Sequence, residues 1–252
     1  MMSALARGRG GIAAATLRVI QAAVLLAGLA CSASAPGAPL LPVQASSKGT
    51  VSPPHLGQRF DVVPGESLLT VLVYRSGPLA AFGHNHVVAC RCVTGTIEVP
   101  HDPAHASFDL RIPVDQFTVD DSAMRAAEHS RDFAHDVSSS SQQAVRHHML
   151  SDDVLDAAQY PDIMLQAQGL RQSPDGKPGD IIARVLVRVR GHSRLVTVPV
   201  HYDMRANEVV ATGQFPLEQT SLGLTPYRAM AGALKVSNGM TVRFRFLARR
   251  GS

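Results

Sequence analysis

Tryptophan is absent from this 252-residue chain, and aromatic residues make up only 5% of it. With eight Phe and no Trp, few side chains are bulky enough to plug a wide interior. Cysteine is scarce too: Cys31, Cys90 and Cys92 are the whole set. A thiolate zinc site needs more ligands at suitable spacing, so this set does not support one. Long hydrophobic runs are also missing. Val19 to Ala30 covers 12 residues, short of the roughly 20 that a membrane-spanning helix requires. The chain carries no Gly-x-Ser-x-Gly elbow, no Walker-type phosphate loop and no His-Glu-x-x-His pair, so the common hydrolase and nucleotide chemistries lack their signatures. Fixed-period repeats and coiled-coil heptads are absent as well.

What the N-terminus does have is an export layout. Arg7, Arg9 and Arg18 precede the apolar run, and the small residues Cys31-Ser32-Ala33-Ser34-Ala35 follow it, the order of a secretory signal. Residues 1–35 are read as that signal, with export to the periplasm or medium. Cleavage after Ala33 or Ala45 suits the peptidase better than after Ala35, which would leave Pro36 first. Cys31 offers a lipid anchor instead, but Gly28-Leu29-Ala30 is a poor lipobox. Residues 36–59, rich in Pro, Ser, Gly and Ala, read as a flexible leader. All three arginines before residue 45 leave with the signal and no acid does, so the net charge falls from +4 to +1. Nucleic-acid binding loses its electrostatic support.

Residues 60–250 remain as one domain, and alternation dominates them. From Ile181 to Arg190 the odd positions are Ile181, Ala183, Val185, Val187 and Val189, while Arg184, Arg188 and Arg190 fall between. A strand repeats every two residues, so one face is greasy and the other meets water. Phe108, Leu110 and Ile112 alternate with Asp109 and Arg111. Phe244 and Phe246 alternate with Arg243 and Arg245. Further strands are expected at Ser67 to Tyr74, Ala80 to Val88, Val93 to Val99, Ile163 to Leu170, Leu195 to Tyr202 and Val209 to Leu217. Many one-sided strands with few helices between them predict an antiparallel sheet closed into a barrel or folded as a sandwich.

Asp115 to about Leu150 interrupts the pattern. Asp120-Asp121-Ser122 suits a helix start, with capping the better use of the adjacent acids. A second short helix is expected from Ser151, with Asp152 and Asp153 in its first turn and Pro161 beyond its end. Arg125 and Arg131 read as surface charges; the alternative is that they greet a lipid phosphate or carboxylate at a barrel entrance.

The stretch Val154 to Leu165, with Tyr160-Pro161 ahead of Ile163-Met164-Leu165, resembles the signature of the YceI-like family of polyisoprenoid-binding periplasmic proteins. Leu165 stands where that family usually has Phe. Val189-Arg190-Gly191-His192-Ser193-Arg194, Gly213-Gln214-Phe215 and Thr220-Ser221-Leu222-Gly223-Leu224 follow in the family's order. The resemblance spans roughly residues 61–248. It implies a lipocalin-like antiparallel β-barrel of about eight strands, with a short helical excursion, that holds a long apolar chain such as a polyisoprenoid, isoprenoid quinone or fatty-acyl lipid. It implies no enzyme activity and no cofactor beyond the bound lipid, with transient membrane contact. Gly83-His84-Asn85-His86 marks a subgroup. By alternation the lumen contacts are Phe108, Leu110, Ile112, Ile163, Leu165, Val185, Val187, Phe215, Phe244 and Phe246. A one-residue slip in any strand would reverse its contribution. A solid core of the same residues would give the same pattern.

Histidine supports a rival reading. His84 and His86 share a face if their segment is a strand, and with His147 or His148 they could hold a metal or haem iron in a small redox protein. The same residues could instead close a turn or satisfy buried polar groups at the barrel mouth. His101, His105, His129 and His135 fall in polar, loop-like stretches. Cys90 and Cys92, two apart, fit either two small buried residues or a labile disulfide in an oxidising compartment.

Overall fold

A computed structural model describes residues 57–102, 105–174 and 176–251. The proposed signal and the leader up to residue 56 lie outside the described residues. Twelve strands form one antiparallel sheet: β1 Gln58–Val62, β2 Leu68–Ser76, β3 His86–Cys90, β4 Thr94–Val99, β5 Ser107–Pro113, β6 Thr118–Val119, β7 Asp162–Gln172, β8 Asp180–Val189, β9 His192–Arg205, β10 Glu208–Glu218, β11 Arg228–Ala229 and β12 Leu234–Arg250. Six of these are halves of three longer, bent strands. β2 pairs with β3 and β1 with β4, while β6 pairs with β3 and β5 with β4. Counted that way, and with the two-residue β11 set aside as a side branch on β12, eight strands run up and down in sequence order. β12 closes the ring: one edge pairs with β10, the other with β2 and then β1.

The bends fall where the ladder is interrupted. The Val63 amide donates to the Leu247 carbonyl and the Gly65 amide to the Arg91 carbonyl. Buried Ser67 Oγ accepts from the Leu247 amide at 3.0 Å. In the neighbouring strand a Cys90–Cys92 disulfide spans the corner between β3 and β4. Local breaks of this kind sharpen strand coiling, which lets a sheet of one-sided strands close on its apolar face.

The strand directions sort the connections to two ends of the barrel. One end carries the end of β4, the start of β5 and the two hairpin pairs β7–β8 and β9–β10. The other carries the β2–β3 loop, the β8–β9 turn, the β10–β12 connection and the whole excursion between β6 and β7. Within that excursion, Asp121 caps α1 Ser122–Ala126 through its Oδ1, which accepts from the amides of Ala123 and Met124 at 3.1 Å each.

Two expectations need correction. No helix begins at Ser151. The helix is α2, Ser139–Leu150, and Ser151 is its C-cap. The four-serine run supplies the cap: Ser138 Oγ accepts the Ser141 amide at 3.3 Å, as an N-cap serine should. The following stretch is a chain of turns in which Asp156 takes φ 49°. Nor is Ala80 to Val88 one strand. Ala80–Phe82 is a 3-10 turn and β3 starts only at His86. Asn85 Oδ1 accepts the Arg75 amide at 2.9 Å, and Arg75 Nη1 donates to the Gly83 carbonyl at 2.8 Å. Side-chain bonds thus replace the ladder there and end the sheet. β1 also begins two residues inside the expected leader. Among the described residues, no helix is long and apolar enough to cross a membrane.

Candidate ligand-binding cavity

The barrel is hollow. A cavity of about 540 Å³ runs along its axis, inside the roughly 300–1,000 Å³ typical of small-molecule sites. All ten positions derived from alternation border it: Phe108, Leu110 and Ile112 on β5, Ile163 and Leu165 on β7, Val185 and Val187 on β8, Phe215 on β10, and Phe244 and Phe246 on β12. Strand pairing explains their convergence. Leu110 faces Leu165, which faces Val187, so one inward row crosses three strands.

One glycine makes room for an aromatic ring among the lining residues. A Cβ on Gly213 would sit 2.5 Å from the Phe244 ring and 2.5 Å from the Pro199 carbonyl oxygen. Only a residue without a side chain leaves room for that ring at this point. Phe244 and Phe246 stack in a tilted pair with centroids 5.0 Å apart.

The two ends differ in chemistry. Six polar residues line the cavity, and five of them, Asp102, Ser107, Arg171, Gln172 and Tyr202, lie at the end with the short hairpins. That end is the rim. At the other end the excursion and the β10–β12 connection supply Met149, Val154, Leu155, Leu222 and Leu224 as an apolar floor. Leu155, Leu222 and Leu224 are buried. The polar exception there is Gln219, whose Nε2 donates to the Ser237 carbonyl at 2.7 Å.

Several lining residues escaped the sequence reading. Val196, Val198 and Val200 on β9 obey the same alternation and could have been found by it. The floor could not, because Leu155 lies in a chain of turns and Met149 on α2, a helix without a buried residue and so without an apolar stripe to read.

The histidines divide. His84 is exposed and outside the strand, so it does not share a face with His86. His86 Nδ1 instead lies 2.6 Å from Asp120 Oδ2. Asp120 is fully buried, and its Oδ1 accepts from the Val87 amide at 2.9 Å and from Arg125 Nη1 at 2.6 Å. Burial pushes the Asp120 carboxyl up, but the hydrogen bonds from His86, the Val87 amide and Arg125 hold it below its usual 3.8. Arg125 is therefore no surface charge. It is 5% exposed and also donates to the carbonyls of Asn85 at 2.8 Å and His135 at 3.1 Å. The expectation fails because, besides Asp120, its partners His135 and Asn85 come from chain 10 and 40 residues away. Arg131 is exposed, as are His101, His105, His129 and His135. His148 packs edge-on against Tyr227, centroids 4.3 Å apart. Among the described residues no three His, Cys, Asp or Glu side chains gather as a metal site.

Fold and site together define a closed, eight-stranded, lipocalin-like barrel around an apolar cavity with most of its polar lining at one end. The sequence profile of the YceI-like domain matches residues 79–248, and the chain belongs to that family. β1 and β2 precede the matched span, yet they complete the ring. Comparison with curated proteins returns no match. Among solved structures the chain is similar to Burkholderia cenocepacia BcnA, with 14% identity, 74% of this chain and 98% of that one covered, and a TM-score of 0.53. A polyisoprenoid binding domain from Saccharophagus degradans, implicated in plant cell wall breakdown, is 11% identical over 76% and 98% of the two chains, with a TM-score of 0.48. The Campylobacter jejuni YCEI protein is 11% identical over 64% and 82%, with a TM-score of 0.44.

Proposed function

We propose that this protein is an exported, non-catalytic carrier that holds one long apolar lipid in its barrel, polyisoprenoid, isoprenoid quinone or fatty-acyl in kind. The observation that carries this reading is the cavity itself, apolar along the wall and floor and polar at the rim. A tail would run toward Leu155, Leu222 and Leu224, leaving its head near Arg171, Gln172 and Tyr202. The basic, apolar and small-residue order of the first 35 residues supports export to the periplasm.

Magnitudes favour a long tail. Each buried methylene contributes about 0.8 kcal/mol, while association costs about 4–15 kcal/mol. Micromolar affinity needs about 8 kcal/mol net. Roughly 15 or more buried methylenes meet that sum, so short acyl groups would not be retained. The ligand's polar groups need only rim contacts, because an apolar wall offers no partner for a buried donor or acceptor.

The test is a titration of solvent-extracted, refolded protein with a fluorescent polyene fatty acid, followed by competition with a long-chain prenol. Saturable binding at one site per chain, displaced by the prenol, supports the carrier. A folded protein that binds neither removes it.

A further inference from the structure

The capped end of the barrel carries a feature that lipid storage does not use. Phe82 is 80% exposed, at the tip of the 3-10 turn that Leu79 and Gly83 flank. Pro78 and Ala81 beside it are exposed, as is Ala231 on the adjoining connection, and Tyr227 is 43% exposed. The two segments are tied together. The Leu79 amide donates to the Ala233 carbonyl at 2.9 Å, and the Val236 amide to the Tyr227 carbonyl at 2.9 Å. β11 pairs with β12 through Arg228 and Lys235, and Lys235 pairs with Ser76 of β2. A phenylalanine held out in water on a backbone fixed by ladder bonds gains nothing for the fold, and exposed apolar patches of this kind mark contact sites.

Charge decides what it contacts. No Asp or Glu occurs between residues 67 and 97 or between 219 and 242. Arg75, Arg228 and Lys235 ring the tip, and no carboxylate among the described residues pairs with any of them. Asp132 approaches through its backbone carbonyl, which accepts from Asn85 Nδ2, and Arg131 precedes it. An exposed aromatic inside a ring of cations is the pattern of an interfacial anchor: the ring enters the headgroup layer and the cations meet lipid phosphates.

We infer that the tip built from residues 78–82 and 227–235 docks the capped end of the barrel on an anionic lipid bilayer, with Phe82 inserted and Arg75, Arg228 and Lys235 on the headgroups. The rim lies at the opposite end of the barrel, so docking leaves it facing away from that bilayer. This contact does not depend on a lipid inside the cavity.

The experiment is co-sedimentation of the purified full chain with vesicles of phosphatidylethanolamine and phosphatidylglycerol, and separately of phosphatidylcholine alone. The wild-type protein should bind the anionic vesicles and lose most of that binding in high salt. Phe82→Ser should weaken it about tenfold, since a phenyl ring supplies that much when it leaves water. Arg228→Gln should weaken it about fivefold, the usual effect of one cation at an anionic surface. Leu195→Ser, an exposed position on the barrel wall, should change nothing. The N-terminal segment is identical in every variant, so differences report the tip. Equal binding by wild type and Phe82→Ser, or equal binding to the neutral vesicles, overturns the inference. A lipid-free barrel that still binds anionic vesicles supports it separately from the carrier function.

Discussion

His86 Nδ1 meets Asp120 Oδ2 at 2.6 Å, joining β3 to the first residue of the excursion. Asp120 takes φ 54°, an unusual conformation for a residue other than glycine. Four groups from three segments hold it: His86 and the Val87 amide of β3, Arg125 of α1 and, through its backbone carbonyl, Gln142 Nε2 of α2 at 2.9 Å. The network fastens the helical cap to the barrel end, and the cavity floor rests on that cap.

Asp120→Asn should therefore cost about 3–5 kcal/mol of unfolding free energy, because Arg125 would stay buried without its counter-charge. Urea denaturation at neutral pH measures it. A change below 1 kcal/mol would show that the network does not fasten the cap.

Acid should act through the same carboxyl. Its folded value lies below its usual 3.8, so the folded state binds the proton less well than the unfolded chain does. The contribution is complete above the unfolded value and is lost as pH falls below about 4 through the folded one. Thermal unfolding followed from pH 6 to pH 2.5 should show wild type losing stability over that range and Asp120→Asn losing less. Parallel curves would contradict the assignment.

Gly213→Ala should destabilise by about 1–3 kcal/mol, the usual cost of overpacking, because the added methyl meets the Phe244 ring and the Pro199 carbonyl. Urea unfolding reads the cost. Polyene fatty-acid titration should show weakened binding, since the displaced ring has only the cavity to enter. Unchanged binding in the folded variant would mean that Phe244 does not set the cavity's width.

Glu128 and Arg243 form an ion pair that ties the end of α1 to the outer face of β12, with Glu128 nearly buried. Glu128→Gln should raise amide hydrogen exchange across residues 122–128 several-fold and leave β8 unchanged. No local change would remove the pair from the cap's support.

The barrel was legible because a strand's period is two and its sides meet different solvents. Val185, Val187 and Leu110 reveal their inward direction through the arginines and aspartate beside them. The family landmarks, Tyr160-Pro161 and Gly213-Gln214-Phe215, narrowed barrel or sandwich to barrel. Whether the barrel is hollow is not a periodic property. It depends on volumes summed across strands, such as the space that Gly213 leaves for Phe244. The cap was harder still. α2 has no buried residue and hence no apolar stripe to detect, and its start is written only in the serine run. Asp120 and Arg125 look like surface charges in any local window. Their burial is set by partners such as Asn85, His86 and Val87, more than thirty residues earlier.

Native mass spectrometry of the protein purified from its own cells without detergent tests the central claim most directly. A carrier of this design should fly with the added mass of one lipid per chain, lose it on organic extraction, and lack it when Val187→Asp sets a charge in the cavity wall. A wild-type protein recovered folded and bare, with the same mass as the variant's apart from the substitution, would contradict the account.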